Sequence, residues 1–205
     1  MTVRPFDWRD LSVLHRNRDK SVYLDSVLVL TRGSLLVPGA LFSTLAPSMG
    51  VFTCVANGSE NEQQVFGQVI HLSGSPFAHL TFLAPDSALE LSSTTALLDY
   101  LITLCGERGA WRLLADVDQQ SMAFESMRHN GFAIYARQRT WLMPQKLAPT
   151  CCPGAWRPAA GPDVLAIRSL YNNLVPGLVQ QVEPFAAQTA AQSAAQNGSP
   201  VAPQA

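Results

Sequence analysis

Few side chains in this sequence are able to do nucleophilic, metal-binding or acid–base chemistry, and their spacing narrows what they can do. Cys54, Cys105, Cys151 and Cys152 form no C-x-x-C pair, and no histidine stands at zinc-ligand spacing from them, so no metal site is expected. Cys151 and Cys152 are adjacent in TCCPGAW, where vicinal geometry resists an ordinary disulfide, and they read as linker thiols. Cys54 and Cys105 sit inside apolar patterns as small core residues. In AHLTFLA, His79 alternates with Thr81 and Leu83 while Leu80 and Phe82 take the opposite face, which turns the imidazole toward a cleft or toward solvent. No second polar partner is evident in the sequence for His79, so a structural histidine is the first reading and a general base the second. Asp86 and Glu90 read as solvated carboxylates.

The chain that must position these groups has 205 residues, 47% of them hydrophobic, enough for one core of about 150 residues and a fragment more. With 14 Lys+Arg against 15 Asp+Glu there is no basic excess to neutralise phosphates, which argues against nucleic-acid binding through a broad charged face. MTVRPFDWRD carries charges where a signal peptide needs its apolar segment, and no run approaches the roughly 18 apolar residues of a membrane span. The expectation is a cytoplasmic protein without membrane contact.

Along the chain, VRPF at 3–6 suits a strand and DWRDLSVLHRN a helix with Leu11, Leu14 and His15 on one face. SVYLDSVLVL at 21–30 and PGALFSTLA at 38–46 read as further helix. GVFTCVA, QQVFGQVIHLS and AHLTFLA then predict three successive antiparallel strands. Leu97, Leu98, Leu101, Leu104 and Cys105 fall on one helical face that Gly109 can end. WRLLADV (111–117) predicts a strand, Asp118 a cap for the next helix, Gly131 its end, and FAIYARQRTWLM (132–143) a last strand. Five prolines between Pro144 and Pro162 mark a linker.

Near the C-terminus WRPAAGPDVLAIRSL repeats the pattern of VRPFDWRDLSVLHRN: Arg157 matches Arg4, Pro158 Pro5 and Asp163 Asp10, with Val164 on Leu11 and Ile167 on Leu14, all at an offset of 153. An ungapped offset near 150 residues suggests duplicated domains, since solenoid repeats run about 20–50 residues. Val164, Ile167, Leu170, Tyr171 and Leu174 make an apolar stripe on the repeated helix, which must pack on something. The organisation expected is a domain over 2–143, a Pro-rich linker over 144–155, the start of a second domain over 156–183 and a disordered Ala/Gln-rich tail over 184–205.

This order of elements, with GERGAWRLLADVDQQSMAFESMRHNGF at its centre, resembles the GNAT superfamily of acyl-CoA-dependent N-acyltransferases over about residues 2–143. The resemblance implies an α/β fold with a mixed, mostly antiparallel central sheet flanked by helices, splayed between the strands at 78–84 and 111–117. It implies an acyl-CoA such as acetyl-CoA, held in that splay. The family's phosphate loop, Arg/Gln-x-x-Gly-x-Gly/Ala, falls here on Leu89-x-x-Ser92-x-Thr94, with no glycine at either position and no cation. By motif position the cofactor-binding set is Leu83, Leu89, Ser92, Thr94, Thr95, Gln120 and Ser121. Ser92 and Thr94 add β-carbons where bare backbone is expected but bring hydroxyls, and the helix dipole remains. The family's tyrosine acid stands at Met127, whose thioether donates no proton. Tyr135 is nearby in sequence, and His79 and His71 are the histidines on or beside the central strands. The catalytic residues are therefore open, with His79 and Tyr135 as candidates. Two functions compete: a divergent GNAT domain with weakened or lost acyl-CoA binding, as half of a tandem pair, and an active N-acyltransferase using positioning and a backbone N–H for the oxyanion. The partner expected is a second GNAT-like domain in cis or the mate of a homodimer.

Overall fold

The computed structural model describes residues 2–33, 36–58, 63–141, 157 and 159–185. The chain divides into two compact units, Met1–Ala133 and Ile134–Ala205. The expected linker at 144–155 and the tail beyond residue 185 lie outside the described residues.

In the first unit, β1 (Thr2–Pro5) leads through a short 3-10 turn into α1 (Leu11–Arg16), then β2 (Val22–Tyr23), α2 (Ser26–Arg32) and α3 (Leu36–Leu45). The meander follows as β3 (Val51–Asn57), β4 (Val65–Ile70) and β5 (Phe77–Ala84), and then α4 (Ser92–Glu107), β6 (Arg112–Leu114) and α5 (Met122–His129). The sheet runs β1-β3-β4-β5-β2 with antiparallel neighbours throughout, and β6 adds to β5 in parallel. This is the mixed, mostly antiparallel α/β sheet expected.

Each face buries its own apolar cluster. On one, Leu97, Leu98 and Leu101 of α4 cover Cys54, Val65, Val69, Leu80 and Leu83. Close approach there depends on Gly67, where a Cβ would lie 2.9 Å from Leu101 Cδ1 and 3.1 Å from Leu97 Cδ2. On the other, Leu14 of α1 and Leu36 and Ala40 of α3 cover Val55, Phe66 and Phe82. Both faces being apolar explains why the strands read as near-continuous hydrophobic runs.

Five local expectations need correction. Residues 21–30 are not one helix: Val22–Tyr23 is strand, and Asp25, whose Oδ1 accepts from the Leu28 N–H at 2.8 Å, caps α2 instead. β-Branched and aromatic residues at 22 and 23 suit the sheet edge, and an Asp with extended backbone is a strong helix start. The alternation assumed for β5 breaks at Thr81, because Gln68 pairs with Phe82 and Val69 with Leu80, leaving Thr81 as a bulge. Leu80 and Leu83 consequently share one face while Phe82 takes the other. Asp118 does not cap α5; its Oδ1 accepts from the Gln120 N–H at 3.0 Å, inside a turn that precedes a helix start at Met122. Finally, residues 132–141 form no strand, and the expected 111–117 strand is confined to Arg112–Leu114. Gly109 and Gly131, both at positive φ (89° and 87°), do follow the ends of α4 and α5.

In the second unit, α6 (Asp163–Leu174) and α7 (Gly177–Val182) are joined by a short turn. Tyr171 donates to the Glu183 carbonyl at 2.6 Å and stacks on Phe185. Leu165, Ile167, Leu170 and Leu174 are exposed. The start of α6 repeats the start of α1 in atomic detail. Arg4 Nη1 and Nη2 donate to Asp10 Oδ2 and Oδ1 at 2.7 Å each, and the Asp7 N–H to Oδ2 at 3.0 Å. Arg157 donates to Asp163 at 2.6 and 2.8 Å in the same pairing of atoms, and the Ala160 N–H to Oδ2 at 2.8 Å. Every member of the second clasp stands 153 residues after its counterpart.

Candidate functional site

The C-terminal end of β5 and the N-terminus of α4 bring together the residues that motif position assigns to the cofactor. Leu83 is the penultimate residue of β5, Pro85–Leu91 form a tight loop, and Ser92 and Thr95 lie exposed on the first turn of α4. A phosphate held here would need free backbone N–H groups converging on it. The loop has instead folded onto itself. The N–H groups of Ala88, Leu89, Leu91 and Thr94 donate to the carbonyls of Pro85, Asp86, Ala88 and Leu91 at 3.0–3.2 Å. Side chains reinforce the turn from inside: Thr94 Oγ1 donates to the Ala88 carbonyl at 2.5 Å, and the buried Ser126 Oγ of α5 to the Leu89 carbonyl at 2.6 Å. Thr94 is fully buried, so its hydroxyl does not face a ligand, and the Leu89 side chain belongs to the core. Ser93 Oγ is buried without a hydrogen-bond partner among the described residues. Asp86 and Glu90 are exposed beside the loop, where carboxylates repel anions. The Ala88, Leu89, Leu91 and Thr94 N–H groups are thus committed to carbonyls of the loop itself and are not free to converge on a pyrophosphate.

The splay itself is present. β5 and β6 pair only from Phe77/Arg112 to His79/Leu114, and β5 then runs on to Ala84 without β6. Its freed edge is covered by β2, with Val22 opposite Leu83 and Tyr23 opposite Phe82. Beyond the splay, Gln120 is exposed, and Ser121 Oγ donates to the Asp118 carbonyl at 2.7 Å.

The acid–base candidates fall in different units. His79 is half-buried with its ring edge-on to Phe77, centroids 5.5 Å apart. His71 is buried, and its Nε2–H donates to the Ser75 carbonyl at 2.9 Å, the arrangement of a structural histidine. Tyr135 belongs to the second unit, where its hydroxyl donates to the Glu183 carboxylate. Met127 is buried in the core cluster under α4. Among the described residues no group of three His, Cys, Asp or Glu side chains could hold a metal ion, and no single helix is long and apolar enough to cross a membrane.

A feature that sequence reasoning missed lies beneath α3. Gln68 of β4, fully buried, donates through Nε2 to Thr53 Oγ1 at 2.9 Å and accepts from Thr81 Oγ1 at 3.2 Å. Gly39 of α3 sits directly over it, where a Cβ would come within 2.6 Å of Gln68 Oε1. The Gly in an apolar helix was the available signal. The space beside this network, lined by Tyr23, Leu28, Leu36, Gln68 and Thr81, admits water but no substrate, at about 10 Å³.

The chain matches no protein-family model and no curated protein. Among solved structures, a probable acetyltransferase is similar over 70% of this chain and 97% of its own, with 15% identity and a TM-score of 0.45. An acetyltransferase from Trypanosoma brucei is similar over 69% of this chain and 99% of its own, with 17% identity and a TM-score of 0.45.

Proposed function

We propose that this chain carries a divergent GNAT-type domain that has lost acyl-CoA binding and forms one half of a tandem pair, the other half beginning at the repeated Arg157–Asp163 clasp. The observation that carries the loss of binding is the loop before α4, whose Ala88, Leu89, Leu91 and Thr94 N–H groups all donate to backbone carbonyls. A pyrophosphate could recruit them only by breaking four hydrogen bonds, and no Lys or Arg stands in residues 85–95 to compensate. The pairing with a second domain is supported by the matching clasp and by the exposed apolar stripe of α6, whose counterpart Leu14 in α1 is fully buried. The role left to the first domain is to buttress a partner domain, in cis or in a homodimer.

Isothermal titration of the full chain with acetyl-CoA tests this reading. No binding tighter than about 1 mM is expected. A dissociation constant near 1 µM would overturn it and favour an active N-acyltransferase.

A further inference from the structure

Where two parallel strands diverge, each is left with an inner edge of unpaired N–H and C=O groups, and in a protein interior those groups must find partners. An open fork of this kind accepts a linear amide-bearing arm as if it were another strand. In this protein β5 and β6 part after His79 and Leu114, and residues 22–24 of the same chain bond groups on both sides of the opening. Val22 and Tyr23 pair with Leu83 and Phe82. One residue further, Leu24 reaches across the whole opening: its N–H donates to the Thr81 carbonyl of β5 at 2.8 Å, and its carbonyl accepts from the Asp116 N–H, just past β6, at 2.8 Å. The Asp116 carboxylate then accepts from the Ser26 N–H at 3.3 Å, tying the start of α2 to the same point. Leu24 also fills the space, its side chain buried in the cluster under α4 with Leu80, Leu83 and Leu98.

We propose that residues 22–26 are a built-in strap that permanently occupies the fork between β5 and β6, taking the backbone hydrogen bonds and the apolar volume that the amide arm of an acyl-CoA would need. This deepens the proposed loss of acyl-CoA binding and rests on it for the identity of the excluded ligand. The two are separate devices: the α4 loop removes the phosphate site, and the strap removes the path for the arm. Thr81 is central to the second, because the bulge that displaces it from the β4 register leaves its carbonyl available to Leu24 while its hydroxyl turns inward, its one proton shared between the Gln68 carbonyl oxygen at 3.1 Å and Gln68 Oε1 at 3.2 Å.

Amide hydrogen exchange of the full chain, read residue by residue by NMR with and without acetyl-CoA at about 1 mM, is the test. The expected result is that the Leu24 and Asp116 amides exchange at least about 100-fold more slowly than in an unstructured peptide and are unaffected by acetyl-CoA. Protection below that level, or its loss on adding acetyl-CoA, would overturn the strap. Micromolar binding with both amides still protected would sink the loss-of-binding reading while supporting the strap, since the ligand would then lie outside the fork.

Discussion

Three donors converge on the carboxylate of Asp10, two from Arg4 and one from the Asp7 backbone, and the geometry makes a specific pH prediction. Burial pushes the Asp10 carboxyl up, but the Arg4 hydrogen bonds, the Asp7 N–H and the Arg4 charge outweigh it and hold the group below the ordinary 3.8. A carboxylate depressed in the folded state stabilises above its unfolded pKa and loses that contribution as pH falls through its folded value. Asp10→Asn is therefore expected to lower stability by about 1–3 kcal/mol at neutral pH, with the gap to the wild type closing as pH falls below about 4. Urea titrations across that range check it; a gap independent of pH would show that the carboxylate's charge is not what matters. Arg4 and Asp10 were legible as a matched pair with Arg157 and Asp163, because a repeat preserves residue types at fixed offset. Their bidentate contact was not legible, since it depends on how the turn at Trp8–Asp10 folds back. Thr94 illustrates the opposite limit: motif position put its hydroxyl toward a phosphate, and burial turned it to the Ala88 carbonyl.

Among the elements, those with long apolar periodicity were readable and the short ones were not. α4 shows its buried face through five spaced apolar residues, whereas β2 has two residues, and its identity as strand exists only because β5 offers an unpaired edge. The same dependence on neighbours governs α6. A short helix is marginal in water unless its apolar stripe is covered, and Ile167 and Leu170 are 38% and 58% exposed. Replacing both with Asp is expected to leave unfolding of residues 2–133 within about 0.5 kcal/mol of wild type, while making α6 a preferred site of limited proteolysis. Loss of the first unit's cooperative transition in that variant would show that the stripe belongs to its core, against the tandem reading.

On the scale of the molecule, the first unit carries both of its apolar clusters within residues 3–132, so a chain cut after Ala133 is expected to keep its fold. Its thiols report on this. Burial, with Cys105 as neighbour, pushes the Cys54 thiol up to about 12, and burial pushes Cys105 to about 11. Because the thiolate is the nucleophile, neither is expected to react with iodoacetamide at about pH 8 until urea unfolds the unit, in the full chain or the shortened one. Rapid labelling of Cys54 in the shortened chain alone would show that the second unit is needed. The α/β class, the meander, the long helix and the repeat at offset 153 are legible in the residues alone, because periodicity and composition act locally and survive any arrangement of neighbours. The site is set by long-range contacts instead. Whether a loop's N–H groups are free and whether a fork between strands is open depend on which distant segment arrives to bond them. Here Leu24 arrives from 57 residues before Thr81.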